Sequence, residues 1–86
     1  MIEKYKVFIE EQVVETIQST KGSNRKNIKQ FVRSLSEDPF QEGDFSETDR
    51  IGRETFCKLI KDYAVSFYSD HAAKEIKIFQ VSRADK

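Results

Sequence analysis

Apolar and polar positions repeat in two modes along this chain, and each change of mode marks an element. Tyr5, Val7 and Ile9 fall at every second position, which predicts a first strand with those three side chains on one side. From Glu11 the spacing becomes helical. Val13, Val14 and Ile17 make a narrow apolar stripe, and Glu10 and Glu11 suit the positive end of a helix. Gly22 reads as the stop of that helix, with Lys21 at its negative end. Ser23 or Asn24 can cap a second helix, whose stripe Ile28, Phe31, Val32 and Leu35 falls at i, i+3, i+4 and i+7. Pro39 ends it by disfavouring helical geometry at Asp38. Residues 11–36 therefore predict a helical hairpin with one apolar side.

The last third, Arg53 to Arg83, predicts three consecutive strands rich in Ile, Val, Phe, Tyr and Thr. Lys61-Asp62 and Ser69 to Lys74 break it like hairpin connections. Between the helices and this meander, residues 37–53 read as an acidic loop. It holds a short extended piece around Phe45–Thr48, Phe40 and Phe45 pin it to the body, and Gly52 turns into the meander.

Alternation along strands sorts the meander into two faces. With Val65 and Phe67 toward the helices, Cys57, Leu59, Ile76 and Ile78 are expected beside them. The opposite face is then expected to show Phe56, Lys58 and Ile60, then Ala64, Ser66 and Tyr68, then Lys77, Phe79, Val81 and Arg83. That mixed apolar and cationic face is more than a small monomer usually leaves open, and it reads as a partner surface.

Eighty-six residues make one small domain, taken as 1–86. Net charge is zero, but it is unevenly spread: residues 37–54 carry two basic side chains against seven acidic ones, between two mildly basic flanks. This is not the basic footprint of a dedicated nucleic-acid binder. One cysteine, Cys57, excludes an internal disulfide and fits a buried thiol in a reducing cytoplasm. No apolar run approaches the ~20 residues that span a bilayer, so no membrane partner is expected. Met1-Ile-Glu-Lys reads as no signal peptide.

Familiar catalytic signatures are missing. Gly22, Gly43 and Gly52 are isolated, so there is no P-loop, and neither GxSxG nor HExxH occurs. His71 is the only histidine and falls in a turn. Asp44, Glu47 and Asp49 do not have EF-hand spacing, so neither a metal nor another cofactor is expected. What remains is a scatter of cations and tyrosines. Cations can neutralise charge developing on a phosphate, and aromatic rings can stack on bases.

Four stretches carry a resemblance. They are Tyr5–Ile9; Arg25, Ile28, Phe31 and Leu35 running into Asp38-Pro39-Phe40; Lys58-Leu-Ile-Lys-Asp-Tyr-Ala-Val-Ser-Phe-Tyr68; and Ile76-Lys-Ile-Phe-Gln-Val-Ser-Arg83. In this order, over nearly the whole chain, they resemble the toxins of the RelE/ParE superfamily from bacterial toxin–antitoxin systems. The third is similar to the family's Lys…Tyr-Arg-hydrophobic-x-Tyr strand pair, and the fourth to its last strand and terminal basic residue. The fold implied is α+β, ordered β-α-α-β-β-β, with a helical hairpin packed on one face of a small, mainly antiparallel sheet.

The resemblance implies a toxin neutralised by a cognate antitoxin that wraps it. RelE-like members cut mRNA on the ribosome without metal, the RNA's own 2′-hydroxyl attacking the neighbouring phosphate, whereas ParE-like members poison DNA gyrase. Lys58 matches a catalytic-type lysine and Arg83 the arginine of the last strand. The family's arginine after the strand-pair tyrosine is Ala64 here, a second lysine is Phe56, and the C-terminal tyrosine is absent from a chain that stops at Lys86. Arg53 could supply the missing charge from the loop. Phe56, Ile60, Tyr68, Lys77, Phe79 and Val81 form the expected antitoxin or target face. The alternative is a non-catalytic or degenerate protein-binding module on the same scaffold, and a homodimer is left open.

Overall fold

The computed structural model describes residues 4–84; the expectations placed on Met1–Glu3 and Lys86 lie outside the described residues. Strand β1 (Lys6–Ile9) leads into helices α1 (Glu11–Ser19) and α2 (Gly22–Glu37). Strands β2 (Phe45–Thr48), β3 (Glu54–Ile60), β4 (Tyr63–Asp70) and β5 (Glu75–Arg83) complete the fold. The five strands lie in the order β1-β5-β4-β3-β2. Only β1 is parallel to its neighbour, pairing Val7 with Ile76 and Ile9 with Ile78. A parallel pair needs a long crossover, and the rest of the chain supplies it. The expected α+β plan is therefore present, with the extended piece at 45–48 forming a fifth strand on the far edge.

Both helices bury their apolar stripes on one sheet face. Val13 and Ile17 of α1, and Ile28, Phe31 and Leu35 of α2, meet Val65, Phe67, Ile76 and Ile78. Phe31 and Phe67 meet edge to face, with ring centroids 5.6 Å apart. The junction between the helices differs from expectation. Thr20 ends α1, its N–H and hydroxyl both bonding back to the Thr16 carbonyl. Gly22, at φ +67°, opens α2 rather than closing α1, and neither Ser23 nor Asn24 caps that helix.

Register decides which side chains face the helices, and it reverses the expectation for β3. Ile60 and Tyr63 flank the two-residue turn Lys61-Asp62, so Phe56 lies opposite Phe67 and Lys58 opposite Val65. Directly paired residues share a face. Phe56 and Ile60 thus pack against the core, while Cys57 is half-buried on the outer face and Leu59 is 42% exposed there. The reversal follows from turn length: a two-residue turn pairs odd positions with even ones.

A bulge changes β5 as well. Phe67 pairs with Ile78, yet Ser66 pairs with Gln80, so Phe79 is an extra residue in that strand. Lys77 and Phe79 stay on the outer face, as expected. Beyond the bulge Val81 and Arg83 turn inward, paired with Val65 and Tyr63, and Val81 is buried. The loop after α2 is less buried than expected, with Phe40 at 68% and Phe45 at 58% exposure. Phe40 rests against His71 and Tyr5, and Phe45 lies opposite Cys57 on the outer face.

Candidate functional site

The residues expected to form one mixed surface divide between the two sheet faces. Tyr68, Lys77 and Phe79 stand on the outer face, and Phe56, Ile60 and Val81 belong to the helix-facing side. The surface inferred from alternation alone is thus half of what was expected.

The three cations do not converge. Arg53 precedes β3, and its guanidinium carbon sits 3.8 Å from the centroid of the outer-face Tyr68 ring. Asp49 holds its Nε at 2.9 Å. Lys58 lies five positions along β3, roughly 16 Å by strand rise, and on the other face. Its partly exposed side chain carries the ammonium to 4.0 Å from an Asp44 carboxylate oxygen. Arg83, over Tyr63 at 5.7 Å, shares that face but is displaced from Lys58 by two strands and two residues, roughly 12 Å.

The acidic segment before β3 is built into this arrangement. Asp44 donates its backbone N–H to the Cys57 carbonyl, and its carboxylate accepts the Leu59 N–H at 2.8 Å. Gly43 lies so close to Cys57 that a Cβ would sit 2.6 Å from its carbonyl oxygen. Asp49 accepts the backbone N–H groups of Ile51 and Arg53 within the β2–β3 connection. The Arg53 backbone N–H is the main reason the Asp49 carboxyl is held below its ordinary value of 3.8. Carboxylates from one segment therefore accompany both Arg53 and Lys58.

Two features stood outside the sequence-based expectations. An apolar groove of 490 Å³ runs between the helices and β1, floored by Val7, Ile9, Val14 and Val32, with Lys29 and Arg33 on its rim. Its signal was present in the sequence, since the stripe of α1 is too narrow to close over α2. Beside it, Tyr5, Phe40 and His71 form a cluster of rings that joins three segments. Among the described residues no helix is long and apolar enough to cross a membrane, and no His, Cys, Asp and Glu side chains group to hold a metal ion.

By sequence the chain matches no family model and no curated relative. Its backbone does have solved counterparts. A RelE–RelB complex from Pyrococcus horikoshii OT3 contains a chain that superposes with a TM-score of 0.81 at 21% identity, over 96% of this chain and 98% of that one. This chain has the RelE fold. The RelBE2 toxin–antitoxin complex of Mycobacterium tuberculosis gives a TM-score of 0.74 at 16% identity, over 93% and 98% of the two chains. The intact RelBE complex of E. coli gives 0.74 at 13%, over 95% and 99%. In this version of the RelE fold the matched Lys58 and Arg83 are on the expected strands, but the register points both toward the helix side.

Proposed function

We propose that this chain is the toxin of a toxin–antitoxin module, acting in the cytoplasm and held inactive by a cognate antitoxin. The observation that carries the reading is the end-to-end match to a RelE structure solved together with RelB. The groove between the helices and β1 supports it. An antitoxin segment with one apolar side can lie on Val7, Val14 and Val32, and its acidic residues can meet Lys29 and Arg33. The target is mRNA on the ribosome or DNA gyrase. In the first form Lys58 and Arg83 would meet phosphates, with neither metal nor cofactor, while Asp49 and Tyr68 hold Arg53 on the other face.

Expression of the chain alone in bacteria should slow growth, and co-expression of the neighbouring small reading frame should restore it. Harmless expression of a folded chain overturns the reading. Val32→Asp should weaken rescue while leaving toxicity in place. Primer extension on ribosome-bound message and a gyrase supercoiling assay separate the two targets.

A second reading, a non-catalytic protein-binding module, is favoured by the separation of Arg53, Lys58 and Arg83 and by the carboxylates beside two of them. On this reading Lys58→Ala and Arg83→Ala leave partner binding unchanged and there is no cleavage to lose. A homodimer through the open sheet face would appear as a doubled mass in light scattering.

A further inference from the structure

We propose that the outer sheet face carries a cation-recognition groove that takes an arginine or lysine side chain from a basic, extended segment of a protein partner. The inference rests on this groove's own geometry and stands apart from the toxin reading. The groove, of 350 Å³, is floored by Tyr68 and Phe79, whose rings lie 6.0 Å apart and are tilted by 41°. Glu10, Glu47, Asp49, Thr55 and Arg53 form its walls. Aromatic faces attract a cation through their quadrupoles, and flanking carboxylates add direct charge.

The chain already performs this recognition on itself. The Arg53 guanidinium carbon sits 3.8 Å from the Tyr68 ring centroid while Asp49 pairs with its Nε at 2.9 Å. That pair occupies the Tyr68 part of the floor. Phe79 offers a second ring, with Glu10 and Glu47 also in the lining, and neither carboxylate is in an ion pair among the described residues. Three carboxylates stand against one guanidinium, so the groove repels a polyanion and draws a cation. Lys77 shares the face but not the lining.

The rest of the face indicates the kind of ligand. Leu59 and Phe45 are exposed on the same side, Phe45 opposite the half-buried Cys57. A small cation would use only the groove. A polypeptide that alternates basic and apolar residues would cover both features.

The test uses the purified chain and two end-blocked synthetic peptides, one alternating leucine with arginine and one alternating leucine with glutamine. In an NMR titration the arginine peptide should bind about tenfold tighter and shift Thr55, Tyr68 and Phe79. The double variant Glu10→Gln/Glu47→Gln should lose about fivefold to tenfold in affinity, with a melting temperature lowered only slightly, by loss of the Glu10 charge at the start of α1. The charge-matched double variant Glu15→Gln/Glu37→Gln, away from the groove, should bind as the parent does. Equal binding of the two peptides, equal losses in the two double variants, or shifts confined to other residues would overturn the proposal. So would an oligouridylate that moves the same resonances at lower concentration.

Discussion

Tyr5 and His71 are 66 positions apart in sequence and meet in a 2.8 Å hydrogen bond between Tyr5 Oη and His71 Nδ1. With Nδ1 unprotonated, the phenol donates. Phe40 stacks on the imidazole, with centroids 4.8 Å apart and planes within 7°. The contact ties the start of β1, the loop after α2 and the β4–β5 turn into one corner. Tyr5→Phe should lower stability by about 1 kcal/mol, the usual net worth of such a bond. His71→Ala should cost about 1–2 kcal/mol, because the Phe40 stack goes too. Urea denaturation measures both, and two parent-like midpoints would show that the corner contributes nothing.

The inward turn of β3 can be read from a pair of alanine substitutions. Phe56 packs on Phe67 at 5.7 Å, whereas Leu59 is 42% exposed on the outer face. Phe56→Ala should cost about 2 kcal/mol and Leu59→Ala less than about 1 kcal/mol. The reverse order in denaturation midpoints would mean that β3 presents its other face to the helices.

Gly43 is required by contact, not by backbone angle. The three nearest neighbours of an added Cβ are backbone atoms of Cys57, the carbonyl oxygen at 2.6 Å and the nitrogen at 2.9 Å. Strand backbone cannot move aside as a side chain tip can. Gly43→Ala should cost about 1–3 kcal/mol and loosen β2 from β3. Amide exchange should speed up at the β2–β3 pairs while β4 and β5 keep their protection.

Asp49 gives a pH signature. Its folded carboxyl titrates below 3.8, mainly because the Arg53 backbone N–H donates to the charged form, with further lowering from the Arg53 side chain. Such a group stabilises the fold fully above its unfolded value and loses that contribution as pH falls through the folded one. The stability gap between the parent and Asp49→Asn should therefore be constant near neutrality and close as pH drops below 3.8. NMR titration of the Asp49 carboxyl provides the direct check, and a midpoint at or above 3.8 would contradict these contacts.

Local pattern alone determined most of the elements. Tyr5, Val7 and Ile9 marked the first strand, the i, i+3, i+4, i+7 stripe of Ile28 to Leu35 marked α2, and β-rich runs marked the meander. Each signal is a property of neighbouring residues, and burial of one face makes it visible. The order of those elements also carried the resemblance to the RelE/ParE toxins, which the backbone match to RelE structures supports at the level of fold. The faces were decided by tertiary register. The two-residue turn at Lys61-Asp62 set Phe56 and Ile60 inward, and the extra residue Phe79 turned Val81 and Arg83 away from Lys77. A shift of one position exchanges every side chain between the two faces, so a small error in pairing scatters a whole predicted surface. For the same reason the arrangement of Arg53, Tyr68, Phe79, Glu10 and Glu47 was not legible in the sequence. Those residues lie on three strands, the loop before β3 and a helix cap, and only the assembled sheet brings an aromatic floor and a carboxylate rim to one place.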